Sequence, residues 1–178
     1  MIGFRLNWGR RIKNRGYSLV GDEFLPIGND VSSGSELLGY DLDGPIQRHL
    51  TALSRSSPSA PVQMLVRHGL LLPGMTFFDY GCGRGGDVSV LCSDGIAARG
   101  WDPNYLPEAT MAPADAVNLG FVVNVIEDPA ERIEAITKAF GFARTVMSIG
   151  VMLYGGDPPG EPYRDGLLTS RNTFRRAS

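Results

Sequence analysis

A carboxylate and three glycines stand close together at Asp79, Gly81, Gly83 and Gly85, in the string FFDYGCGRGGDV. The residues before them, Met75 to Tyr80, are rich in aromatics and read as a short strand. Asp87 opens a helix with Val88, Leu91 and Cys92 on one face, and Gly95 ends it. Strand, glycine loop and helix in that order give a glycine pattern its meaning. The helix start carries partial positive charge and free N–H groups, and glycine, lacking Cβ, lets a ligand approach the backbone. A second acid, Asp102, follows Gly81 by 21 residues and ends the next strand, Ile96 to Trp101, just before Pro103. A carboxylate there can accept two hydrogen bonds from vicinal ribose hydroxyls. The chemistry this set offers is recognition of a nucleoside.

Two ligands fit the glycines. Gly81, Gly83 and Gly86 satisfy G-x-G-x-x-G, the dinucleotide pattern, and Gly81, Gly83 and Gly85 satisfy G-x-G-x-G, which resembles motif I of S-adenosylmethionine-dependent methyltransferases. Asp79 tips the balance toward the second. It matches the D/E-x-G-x-G-x-G form, where a carboxylate attracts a cationic amino group, whereas beside the phosphates of a dinucleotide it would repel. Asp102 serves either nucleoside. Each acid also has a plainer reading: Asp79 as a strand-end residue satisfied by local N–H groups, Asp102 as the cap of a turn. Cys82, with no histidine near it in sequence, reads as a small filler of the loop. Tyr80 sits between Asp79 and Gly81 and lines the loop.

The elements that must position these residues alternate strand and helix. Pro61 suits a first helical turn, Val62, Leu65 and Val66 share a face, and Gly69 is a natural stop. After Asp102, residues 103–113 carry three prolines and no periodicity. Asp115 to Val125 gives a strand and its exit. Asp128-Pro129-Ala130-Glu131 is a capping box, followed by a helix with Ile133, Ile136 and Phe140 on one face. Arg144 to Leu153 is a fourth strand. This alternation predicts an α/β fold with a mostly parallel sheet. The division read from the sequence is an irregular or partly disordered basic arm over 1–45, a Rossmann-like cofactor-binding domain over 46–155, and a Gly/Pro-rich tail over 156–178, loop over 155–166 and otherwise a tail or a truncated continuation of the fold. Residues 46–56 are mixed and read as a short helix.

The chain of 178 residues has a formal net charge of −2 and 43% hydrophobic content, enough for one domain with a core. Its apolar content excludes disorder over most of its length. No apolar run is long enough to cross a membrane, the basic N-terminus lacks an apolar signal segment, and two cysteines make no disulfide framework. A cytoplasmic location is the expectation, and no Cys/His spacing suggests a metal. The chain has 15 arginines and 2 lysines, and Arg5, Arg10, Arg11, Lys13 and Arg15 fall within the first 15 residues. That arm reads as a solvated tail or as a contact to nucleic-acid phosphates.

The string FFDYGCGRGGDV, followed by GWDP and NLGFVVNVIEDPAER, resembles the DNA phosphorothioation-associated putative methyltransferases of bacteria. RHLTALSRSSPSAPVQMLVRHGLL before it and DGLLTSRNTF near the end resemble that family too, so the likeness covers residues 47–174. The resemblance implies a Rossmann-like class I methyltransferase fold, S-adenosyl-L-methionine as cofactor and a link to DNA modification. It assigns cofactor binding to Asp79, Gly81, Gly83, Gly85 and Asp102, and their neighbours Tyr80, Cys82 and Pro103 join the cofactor-binding set by position. Asn118, Leu119 and Gly120 flank the methionine end of the cofactor or the acceptor.

The acceptor is not written in the sequence. Methyltransferases acting on the amino groups of DNA bases carry D/N/S-P-P-Y/F/W after strand four. Here Asn118-Leu119-Gly120-Phe121 keeps the asparagine and the aromatic without the prolines. Asp157-Pro158-Pro159-Gly160 follows the wrong strand, and neither cysteine follows a proline as attack on cytosine carbon would need. Candidate catalytic residues are Asn118 and His49, with His68 more at home at a helix end. Trp101 and Tyr105 could pack near an adenine or in the core. A binding protein without turnover, or a nicotinamide-dependent enzyme, are the rival readings. A full class I sheet has seven strands and only four are legible here, so the closing strands are expected to be missing. That leaves an exposed edge along 144–153, open to a protein partner or a second copy.

Overall fold

The computed structural model describes residues 17–20, 23–26, 45–153 and 160–176. The chain divides into two compact units, Met1–Leu38 and Gly39–Ser178. In the first, β1 (Tyr17–Val20) pairs antiparallel with β2 (Glu23–Pro26), Tyr17 opposite Pro26 and Val20 opposite Glu23. The sequence reading placed no strand before residue 45. Runs of four residues are too short for a period-2 pattern to stand out, although Gly21-Asp22 between them is a pair that favours tight hairpins. The basic run 5–15 lies outside the described residues.

The second unit is a mixed α/β structure around a four-stranded parallel sheet. The strands are β3 (Thr76–Tyr80), β4 (Ala97–Trp101), β5 (Ala114–Gly120) and β6 (Ala143–Gly150), in the order β4-β3-β5-β6. Each pairing is parallel, with Asp79 opposite Gly100 on one side and Asn118 on the other. Three helices flank the sheet: α1 (Ala60–Arg67) precedes β3, and α2 (Gly86–Ser93) and α3 (Pro129–Gly141) supply the crossovers from β3 to β4 and from β5 to β6. Between β4 and β5 the chain makes turns only, as the short, proline-rich connection predicts.

Strand alternation sorts the core into two layers. Phe77 and Ala116 pack with Val62 and Leu65 of α1 and Leu91 of α2, while Phe78, Tyr80, Val117 and Leu119 pack with Ala135 and Ala139 of α3. Both faces are therefore covered, which is why the strands read as apolar runs rather than alternations. At the sheet's amino edge the Thr76 N–H and hydroxyl both donate to Asp115 Oδ2, at 2.8 and 2.7 Å, fixing β3 against β5.

All three helix faces differ in part from the expectation. On α3, Ile133 and Phe140 are 66% and 68% exposed, and the side chains turned inward are Arg132, Ala135 and Ala139. The small alanines let α3 lie close to the aromatic layer of Phe78, Tyr80 and Phe142, and a larger residue there would hold it off. On α1, Val66 is exposed, and on α2, Cys92 is exposed. Half of the predicted capping box forms: the Asp128 carboxylate accepts from the Ala130 N–H at 2.8 Å, while Glu131 is drawn to Arg48.

The C-terminal region, whose residues 155–166 read from the sequence as loop, forms an antiparallel meander of β7 (Glu161–Tyr163), β8 (Gly166–Leu168) and β9 (Phe174–Arg176). Its strands are three residues each, below what alternation can reveal. They form a sheet of their own, so the parallel sheet ends at β6 among the described residues. The meander docks through buried Leu168 and Phe174, through the Arg132–Asp165 ion pair (2.6 Å at Nη1), and through the Arg176 N–H to the Asn124 carbonyl. Asp157, Pro158 and Pro159 lie outside the described residues. Among the described residues no helix is long and apolar enough to cross a membrane.

Candidate functional site

The sheet order places β4 on one side of β3 and β5 on the other. The order in which strands are added reverses between β3 and β5, with β4 laid down on one side and β5 and β6 on the other, and ligands of open parallel sheets bind outside the strands' carboxyl ends at such a point. Asp79 and Asn118 face each other there. Asn118 Nδ2 donates to Asp79 Oδ1 at 2.9 Å. Asp79 is 4% exposed and Asn118 1%. Burial pushes the Asp79 carboxyl up to about 7; the Asn118 hydrogen bond opposes this, and the charges of Asp87 and Asp102 add to it.

The pair is not self-sufficient. Asn118 Oδ1 is buried with no hydrogen-bond partner, and so is the hydroxyl of Ser59, the residue that starts α1. The Ser59 N–H is satisfied by Asp87 Oδ1 at 2.6 Å. Buried acceptors without donors are costly, and each belongs to a residue hydrogen-bonded to a buried carboxylate, Asn118 to Asp79 and Ser59 to Asp87.

Gly81, Gly83 and Gly85 all have left-handed φ, of 81°, 54° and 74°. At Gly81 the chain needs glycine twice over, because a Cβ there would also lie 2.5 Å from Val122 Cγ2. The loop's amides turn inward on the chain itself. Those of Gly81 and Cys82 donate to the Trp101 carbonyl, that of Gly85 to the Cys82 carbonyl, and that of Gly83 to Asp102 Oδ2 at 3.0 Å. Asp102 Oδ1 takes the N–H groups of Asn104 and Tyr105, at 2.9 and 3.0 Å. Asp102 thus caps the turn through Pro103, as its plainer reading held, and also ties that turn to the glycine loop. A carboxylate offers about four lone-pair directions, so three are taken and one on Oδ2 is left for a hydroxyl.

The remaining predicted residues separate by strand alternation. The Tyr80 and Leu119 side chains lie in the layer under α3, opposite Asp79 and Asn118, and only their backbones border the loop. Tyr80 packs against Trp101 and Phe142, at centroid distances of 5.0 and 6.4 Å. The Cys82 Cβ and sulfur sit against Gly100, and burial pushes the thiol up to about 12, far from a reactive thiolate. His68 is exposed at the end of α1, at the sheet's amino edge and away from the loop. His49 is half-buried at the mouth, and its carbonyl accepts from the Tyr105 hydroxyl at 2.9 Å.

Residues 45–59 do what no motif announced: they run across the carboxyl edge of the sheet. At one end Gln47 donates to the Asn172 carbonyl. Arg48 makes paired hydrogen bonds to Glu127 (2.9 and 2.8 Å) and to Glu131 (2.5 and 2.6 Å), which raise the pKa of its already strongly basic guanidinium. Residues 48–51 form a single 3₁₀ turn, where a short helix over 46–56 was expected. Ala52 then lies over Gly83, and Arg55 over Gly86. Arg48, Ala52, Arg55, Ser59 and Val122 were not singled out from the sequence. The signal available was the resemblance of the segment RHLTALSRSSPSAPVQM, which has no chemical pattern of its own.

A nucleoside with a cationic amino group fits this set. The buried carboxylate and the orphaned Asn118 oxygen suit an ammonium donor, and the positive-φ glycines suit close approach of a flat group. Compared with models of protein families, with curated proteins and with solved structures, the chain finds no match.

Proposed function

We propose that this chain binds S-adenosyl-L-methionine in a Rossmann-like domain of the class I methyltransferase type and transfers its methyl group, within the phosphorothioation-associated family its motifs resemble. The observation that carries the reading is the buried Asp79–Asn118 pair, which holds one carboxylate and one unpartnered amide oxygen side by side. The inward-turned loop amides support it against a nicotinamide cofactor. A pyrophosphate asks for free N–H groups, and those of Gly81, Cys82, Gly83 and Gly85 are already spent.

When bound, the cofactor supplies a methyl group activated on a sulfonium. Asp79 and Asn118 hold the amino end through charge and hydrogen bonding. The glycine loop admits the nucleoside, and Asp102 accepts one ribose hydroxyl through the free position on Oδ2. Asn118 to Phe121, at the end of β5, border the place where an acceptor must lie. Displacement at the methyl depends on alignment more than on proton transfer, so His49 is a neighbour of the mouth rather than a required base.

Calorimetric titration with S-adenosylmethionine, its demethylated product and NAD tests this. The first two bind and NAD does not, and Asp102→Ala weakens the demethylated product by roughly 1–3 kcal/mol. Binding of NAD alone would overturn the reading. Turnover is read separately, by offering a radiolabelled methyl group to DNA, phosphorothioated DNA, RNA and small molecules. Transfer to none of them leaves a binding protein without turnover. A nucleic-acid contact through the basic arm, a protein partner or second copy along β6, and a cytoplasmic location belong to the same proposal. In support of the second, β6 ends the parallel sheet among the described residues, carries exposed Ile149 and leads into exposed Val151, Met152 and Leu153.

A further inference from the structure

The rim of the glycine loop carries two arginines in the same posture. Arg84, inside the loop, has its Cζ 5.1 Å from the centroid of the Tyr105 ring, and Arg55 has its Cζ 5.7 Å from that of Phe121. Both arginines are exposed. Among the described residues neither has a carboxylate partner, whereas Arg48, Arg132, Arg164 and Arg176 each do. The segments that carry them are adjacent, since a Cβ on Gly86, two residues from Arg84, would lie 3.2 Å from Arg55 Cβ.

The rings beneath them are held in place. Tyr105 is fixed at both ends, its hydroxyl on the His49 carbonyl and its N–H on Asp102. Phe121 is held at φ 64°, with its N–H on the Gly150 carbonyl at 2.8 Å. A bulky residue in that region is strained, and such conformations persist where the surroundings over-determine them, often at binding sites. A guanidinium lying over a ring uses its face for the contact. Its in-plane N–H fork remains free, and that fork matches phosphate geometry. Cationic forks with aromatic walls are the combination that holds a phosphate next to a planar base.

We propose that Arg55 and Arg84 grip a phosphate of the methyl acceptor, so that the acceptor is a phosphate-bearing molecule presented beside Phe121. This rests on the methyl-transfer reading and adds the substrate class. A nucleic-acid strand and a free nucleotide share that chemistry. The test uses the full chain and a fluorescently labelled single-stranded DNA oligonucleotide, its anisotropy followed over a range of salt. A nucleoside monophosphate and inorganic phosphate serve as competitors. Arg55→Gln and Arg84→Gln each weaken oligonucleotide binding roughly 10-fold and lower the salt slope by about one. The basic residues of the first 15 positions contribute equally to every variant. Arg55→Lys recovers less than half of the loss, because lysine keeps the charge without the fork.

Competition by the monophosphate at low concentration identifies a nucleotide acceptor, and competition only by unlabelled strand identifies nucleic acid; both support the rim. Wild-type affinity and slope in both glutamine variants would overturn it. So would an equal loss of the demethylated cofactor in Arg55→Gln, since the residue would then act on the fold or the cofactor. Failure of the wild type to bind that cofactor strikes the methyl-transfer reading while the anisotropy still reports on the rim.

Discussion

Asn118 donates to Asp79 across two adjacent parallel strands, at 2.9 Å, and both side chains are almost wholly buried. The hydrogen bond favours the charged carboxylate, but burial outweighs it and holds the group at about 7. The unfolded chain ionises it near 4. Below pH 4 both states are protonated and the group is neutral to stability. From pH 4 to 7 only the unfolded state ionises, so folding stability falls as pH rises, by roughly 4 kcal/mol over the whole interval. Asp79→Asn removes this slope. Denaturant midpoints at pH 5 and pH 8 check it: the gap between variant and wild type moves in the variant's favour at the higher pH.

The same carboxyl couples binding to protons. An ammonium beside Asp79 stabilises the charged form, so binding a cationic ligand below pH 7 releases a proton. The affinity for demethylated cofactor rises several-fold between pH 6 and 7.5. Calorimetry in buffers of different ionisation enthalpy reads the released proton, and Asp79→Asn abolishes the dependence along with most of the affinity.

Gly81 is required by both conformation and space. Gly81→Ala forces a left-handed alanine and drives its Cβ into Val122, costing about 2–4 kcal/mol. Gly81→Ala with Val122→Ala recovers the steric part and leaves the backbone part. Thermal melts of the two variants separate the contributions.

Arg48 latches the 45–59 segment over the sheet edge through Glu127 and Glu131. These groups are partly exposed, so the pairs are worth about 1–2 kcal/mol together. Arg48→Met lowers stability by that amount and speeds hydrogen exchange at residues 47–52. In the wild type, 1 M salt does part of the same.

Arg132 and Asp165 are unequal partners. Arg132 is buried and Asp165 is largely exposed. Asp165→Ala strands a buried cation and costs about 2–4 kcal/mol, while Arg132→Met leaves an exposed acid that water can hold and costs about 1–2 kcal/mol. Arg132 lowers the Asp165 pKa, so this stabilisation is present above pH 4 and fades as pH falls below it. Urea unfolding of the two variants fixes their order.

Much of the site was legible because its constraints are local. Positive φ demands glycine at 81, 83 and 85, a strand end demands a short apolar run, and an acid before a proline caps a turn. Ile133 and Phe140 misled because helical periodicity shows that a stripe exists without showing which stripe meets the sheet. That was decided by alanines small enough to lie under an aromatic layer. The meander and the hairpin escaped because strands of three or four residues carry too few positions for a pattern.

The sequence by itself determined the order of strands and helices, the glycine loop and the acids at 79 and 102. Each of these depends on residues within a few positions of one another. Only the tertiary structure decided that Asp79 meets Asn118, that Asp102 also takes the Gly83 amide, and that Arg48, Ala52 and Arg55 lie across the mouth. Those relationships join residues from 19 to 83 positions apart. Burial and strand order fix them, and both are properties of the packed sheet.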